Sequence, residues 1–146
     1  MRRFGYAVAG VVSVGIIWIG TRYLVEPGAM AGSFGVPAPP RDADPFLRVK
    51  GIRDVTSGLV VLALLATRQP RMMAIGLLAE AVIPVGDATI VLASGGSPAI
   101  AFGVHGATAA LMVAGAAALL RDARRGVRRD ARQVLPSPSA TRPASA

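Results

Sequence analysis

The sequence contains no cysteine, so disulfides, thiolate metal sites and iron–sulfur clusters are all excluded. Histidine occurs once, at His105, which rules out a multi-histidine metal centre. Lysine also occurs once, at Lys50, beside fifteen arginines. No nucleophile motif, glycine-rich phosphate loop or dinucleotide fingerprint is present, so no cofactor is expected. What the chain has in excess is apolar residues, 53% of 146, gathered into long blocks. Long blocks point to membrane spans, whereas a soluble core shows short amphipathic segments. The net charge of +8 is concentrated near the C-terminus. No folded soluble module presents it to bases, so nucleic acid is not expected as a partner.

Arg2 and Arg3 precede an uncharged block from Phe4 to Thr21, and Arg22 and Tyr23 close it. This predicts a first span over about 4–23, with Trp18 and Tyr23 near one interface. A secretory signal would have to be cleaved at the small-x-small site Ala29-Met30-Ala31, too far beyond the apolar block. The Pro/Gly-rich stretch Glu26 to Pro45 predicts a mobile connection without regular helix.

The next block forces a choice. Val55 to Thr67 is apolar, but thirteen residues cannot cross a hydrocarbon core about 30 Å thick, which takes roughly 20. A second span over about 46–67 therefore carries Arg53 and Asp54 into the bilayer, where ionisable groups are costly and usually paired or functional. A third span, about 72–93, is interrupted by Glu80, Pro84 and Asp87. After the turn at Ser94–Ser97, Pro98 opens a fourth, about 98–120, which holds His105. Small residues at four-residue spacing, Gly106, Ala110, Ala114 and Ala118, and again Gly5, Ala9 and Ser13, are expected to seat neighbouring backbones. Gly51 and Gly58 are expected contact points of the same kind.

The predicted fold is all-α, an integral membrane four-helix bundle with four transmembrane helices over residues 1–120. A tail, 121–146, follows. Its first part is a basic helical extension in which Arg121, Arg124, Arg125, Arg128, Arg129 and Arg132 share a face, and beyond Leu135 it is too poor in apolar residues to fold. That basic stretch, Arg121–Arg132, is expected to hold anionic lipid headgroups at about 1 kcal/mol per Arg. With Arg2, Arg3, Arg68 and Arg71 on the same side, the expectation is a cell-membrane protein with both termini cytoplasmic.

Alternating span direction lets depth be estimated. Asp54, Asp87 and His105 fall ~12, ~9 and ~10 Å below one face, with Arg53 adjacent to Asp54. Glu80 lies about 10 Å deeper on the face of Asp87, with no obvious partner. Arg53 is expected to bridge to Asp87, and Asp54 to meet His105 or a backbone group. Such groups are often interhelical glue, worth about 0.6 kcal/mol each. Asp54, Asp87 and His105 match a two-carboxylate, one-histidine ligand set in type only, and no metal site is assigned.

The segment Lys50-Gly51-Ile52-Arg53-Asp54 with Ser57-Gly58, then Ile83-Pro84-Val85-Gly86-Asp87, then His105-Gly106-Ala107-Thr108, resembles the pattern of a small membrane family, domain of unknown function 4267. The resemblance covers about Phe4 to Leu120. It implies four transmembrane helices, a distant likeness to DoxX-like membrane proteins, and no established activity. Arg53, Asp54, Asp87 and His105 match its motif positions. The function expected is that of a small multi-pass membrane protein whose polar layer, Arg53, Asp54, Asp87, His105 and Glu80, binds a small amphipathic ligand or a partner subunit. The alternative is a membrane-embedded enzyme or proton-coupled carrier using Glu80, Asp87 and His105.

Overall fold

The computed structural model of the chain describes residues 1–37 and 40–134 and is all-helical, with no strand among the described residues. Helix α1 spans Arg2–Val25 and α2 spans Pro27–Ser33. A 3₁₀ turn, Arg41–Ala43, leads into α3, Asp44–Ala66. Helices α4, Pro70–Glu80, and α5, Val82–Ala93, form one bent rod. The bend has a local cause: Pro84 has no N–H to offer the carbonyl of Glu80, four residues back. The last rod is composite, with α6 at Pro98–Ile100, a π-helical segment at Ala101–Gly106, and α7 at Ala107–Val134. Pro98 sits in its first turn, and the Ser97 hydroxyl accepts from the Ile100 N–H at 3.4 Å.

Three of the four rods are long and apolar enough to cross a membrane: α1, the α4–α5 rod and Pro98–Val127. Helix α3 has the length, 23 residues, but carries Asp44, Arg48, Lys50, Arg53 and Asp54 in its first half. On composition it stands apart from the others.

The rods close into a ring. α1 lies between α3 and α7, while α4 packs on α7 and touches α3. At the end formed by the start of α1 and the end of α3, the core is dense and apolar, with Ala9, Val61, Met73, Leu77, Met112 and Leu119 at its centre. The tightest approach is α1 on α3. A Cβ added at Gly20 would stand 2.6 Å from the carbonyl oxygen of Gly51, and one at Gly51 would stand 2.8 Å from that of Gly20. Only glycine lets these backbones meet. Gly5, Ala9 and Ser13 are buried as expected, and Gly51 and Gly58 are contact points. The stripe expected on the fourth span is displaced. Ala118 is buried as expected, but Ala110 and Ala114 face outward, and the buried seam runs through Ala109, Met112, Gly115, Ala116 and Leu119.

The Pro/Gly-rich connection also departs from expectation. Pro27 sits in the first turn of α2, the one helical site where its missing N–H costs nothing, and the chain turns back across the end of the bundle. Tyr23 is accordingly not at an interface: it is 2% exposed beneath α2 and donates its hydroxyl to the carbonyl of Met30 at 3.3 Å. Gly35, at φ 96°, accepts from the Ser97 N–H at 2.8 Å and ties this crossing segment to the turn before α6. The basic extension is helical as far as Val134. The side chains of Arg128, Arg129 and Arg132, and the stretch beyond Leu135 expected not to fold, lie outside the described residues.

Candidate functional site

At the end opposite the dense core, the rods enclose a cavity of about 420 Å³. Its polar wall draws on every rod. Tyr23 comes from α1, Lys50, Asp54 and Ser57 from α3, Glu80 and Asp87 from the bent rod, and His105 from the π-helical segment. Phe34, just past α2, closes one side.

Two pairings organise the polar wall. Lys50 Nζ lies 2.6 Å from Asp54 Oδ2, one helical turn away on the same face. The same ammonium stands 4.9 Å from the Tyr23 ring centroid and 5.1 Å from that of Phe34. A carboxylate and two aromatic faces thus surround the one lysine, compensating part of its desolvation. Asp54 itself is buried, at 6% exposure.

The second pairing is His105 with Asp87, whose Nδ1 and Oδ2 are 3.8 Å apart. On its other side, His105 Nε2 is 3.2 Å from the carbonyl oxygen of Phe34, and the two rings meet edge-on at 4.8 Å. A carbonyl only accepts, so Nε2 carries a proton. In the neutral ring Nδ1 is then a bare acceptor facing a carboxylate. A proton at Nδ1 turns that contact into a charge-assisted pair. The π-helical segment helps to aim this ring, since widened turns shift side chains off the regular helical face and recur at functional sites.

Glu80 is not alone at depth: the Ser57 hydroxyl donates to its Oε2 across the α3–α4 contact. The expected bridge from Arg53 to Asp87 does not form. Arg53 is exposed and outside the cavity, because α3 turns Gly51, Asp54, Gly58 and Val61 inward and position 53 points about 100° away from position 54. Asp54 meets Lys50 instead of His105, and Asp87 meets His105 instead of Arg53. Asp54, Asp87, His105 and Glu80 do converge on one cavity. Sequence reasoning passed over Lys50, although its position four residues before Asp54 was a usable signal. Among the described residues, no three of the His, Asp and Glu side chains are grouped to hold a metal ion.

The remaining wall is apolar. Val11, Gly15 and Ile19 of α1 line it with Val104 and Leu111 of the last rod, interrupted by the hydroxyls of Ser33 and Thr108. Val11 and Val104 line the cavity and are also more than half exposed, so its apolar wall extends to the outer surface. One compartment therefore joins a charged wall to an apolar one. Residues 13–120 match the family described as domain of unknown function (DUF4267), and the chain belongs to that family. No curated protein and no solved structure matches the chain.

Proposed function

We propose that this member of the DUF4267 family is a multi-pass membrane protein. It crosses the bilayer four times and holds a small amphipathic ligand, with the head against the polar wall of the cavity and the tail along its apolar wall. The outward faces of all four rods support the membrane reading: Val14 and Trp18, Leu59 and Val60, Val82 and Ile90, Phe102 and Val113 are all exposed. Helix α3 joins as the fourth span in this reading because the Lys50–Asp54 pair turns inward and its exposed arginines can reach a polar end. Asp54 is paired with Lys50, and the Arg48 guanidinium donates to the carbonyl of Leu24 at the bundle end. Arg53, pointing outward, reaches toward the interface along its aliphatic stem. Both termini are cytoplasmic in this reading, with Arg2, Arg3, Arg68, Arg71 and the tail arginines on one side of the cell membrane. Anionic headgroups meet the arginines of Arg121–Arg132.

The observation that carries the ligand proposal is the convergence of Asp54, Asp87, Glu80 and His105 on a cavity whose apolar wall includes the exposed Val11 and Val104. Lys50 is neutralised by Asp54, whereas Asp87 and Glu80 keep acceptor capacity beyond their contacts with His105 and Ser57 and can meet a guest. Acceptors dominate that set, so the head is one that donates hydrogen bonds or carries positive charge, an amine or an alcohol. Native mass spectrometry of the detergent-released protein tests this. A small-molecule adduct on the wild type that Asp87→Asn loses is the expected result. A chain free of adduct that also takes up no long-chain amine or alcohol would sink the reading.

A second reading draws on the Asp87–His105 contact, a carboxylate facing a ring nitrogen that can exchange a proton. In that case the same cavity serves a proton-coupled carrier or a membrane-embedded enzyme. Its mark is pH-dependent flux or turnover in proteoliposomes, abolished by Asp87→Asn in a protein that still folds.

A further inference from the structure

We infer a second binding site, for the phosphate of one anionic phospholipid, at the opposite end of the bundle. A groove of about 760 Å³ runs there between the start of α1 and the end of α3. Its walls divide by chemistry. Arg2, Arg3 and Arg68 supply three guanidinium groups, while Leu62 and Leu65 supply an apolar floor. Tyr6 lies between them with its hydroxyl oxygen buried and without a hydrogen-bond partner. A buried hydroxyl left unpaired carries a cost of about 1–3 kcal/mol, which an acceptor entering from the groove removes once the side chains covering the oxygen shift to admit it.

Two further observations point the same way. Arg68 holds a left-handed backbone, φ 54°, just after α3 ends, at a position where glycine is the usual residue. A strained arginine stands at the rim where a strain-free glycine would serve if the turn alone mattered. The basic groups are also weakly answered by the protein. Among the described residues, the ion pair at the groove is Arg2 Nε with Asp122 Oδ2 at 3.9 Å, long and partly exposed, which contributes little. The Arg2 guanidinium otherwise lies 5.7 Å from the Tyr6 ring centroid. Guanidinium forks match phosphate oxygens two at a time, and the phenol adds a third donor. The floor of Leu62 and Leu65 continues along α3 toward the bilayer and suits an acyl chain. The site rests on the bilayer reading above but not on any ligand in the polar cavity.

The test reconstitutes the full chain in phosphatidylcholine vesicles with and without phosphatidylglycerol, extracts it in mild detergent, and counts retained lipid by native mass spectrometry. Expected is preferential retention of one phosphatidylglycerol per chain. Arg3→Gln/Arg68→Gln should lower it about tenfold and Tyr6→Phe several-fold, whereas Arg22→Gln at the other end of the bundle leaves it unchanged. Soluble glycerol phosphate and inorganic phosphate, added as competitors, should fail to displace the lipid; displacement by either overturns the phospholipid as occupant. Equal retention of both lipids, or a Tyr6→Phe protein that retains as much as wild type, overturns the site. Tyr6→Phe keeps the ring, so it decides the matter even if the arginine variants do not fold. A chain that alkaline carbonate strips from the vesicles refutes the bilayer reading instead, which separates the two failures.

Discussion

The two ends of this bundle are built from the same four rods and come out as opposites. At one end Met73, Leu77 and Leu119 are fully buried in an apolar cluster, and the space between the rods is a groove on its outer side. At the other, the same rods stand around about 420 Å³ of space lined by carboxylates, a lysine and a histidine. Length and composition do not explain the contrast, since each rod contributes to both ends. Regularity does. The dense end is made of uninterrupted α-helix, whereas at the hollow end the third rod bends at Pro84, the fourth widens at Ala101–Gly106, and α2 lies across the top. Space for a ligand arises where the helices depart from ideal geometry, and stability comes from where they do not.

The contrast can be broken most forcefully where the halves join. Gly51→Leu places a branched side chain against the Gly20 carbonyl and should separate α1 from α3. The expected outcome is loss of a monodisperse folded peak in size-exclusion chromatography. Leu77→Ala at the dense end should cost about 2–5 kcal/mol in thermal unfolding while leaving any retained ligand in place. Lys50→Met at the hollow end leaves the buried Asp54 carboxylate without its cation and should cost ~3 kcal/mol. Adding Asp54→Leu should restore most of that stability in the same melts, since it removes the stranded charge. Asp87→Asn should move stability by less than about 1 kcal/mol yet abolish the small-molecule adduct, separating function from folding. The smallest effect belongs to Arg53→Ala, within about 0.5 kcal/mol and with the adduct intact. A large effect there would mean that the inward face of α3 has been misassigned.

Much of the hollow end could be read in advance from one constraint, the thickness of a bilayer. Counting residues from each span end brought Asp54, Asp87 and His105 to one level, and all three line the cavity. Depth counting fixes height but not direction around a helix. Arg53 and Lys50 lie within one turn of Asp54, and which of them turns inward was decided by the face that α1 packs against, set by Gly51 and Gly58. Phe34 was illegible for another reason. Its place depends on a long-range tie, Gly35 to Ser97, and on the His105 ring, neither of which leaves a mark on local pattern. Four spans were expected, and three rods meet the demands of length and composition; α3 falls short because of the charges in its first half, of which packing buries only Asp54.

The widened turn at Ala101–Gly106 has a consequence for how such a protein can change. An ideal helix ties its two ends in rotational phase, so swinging His105 would swing Leu119 by the same angle. A surplus residue within one turn absorbs that phase difference and uncouples them. The upper part of the rod can then be re-aimed by insertion or deletion there while the seam below stays seated. Drift in the chemistry of the chamber is thereby insulated from the part of the molecule that keeps it folded.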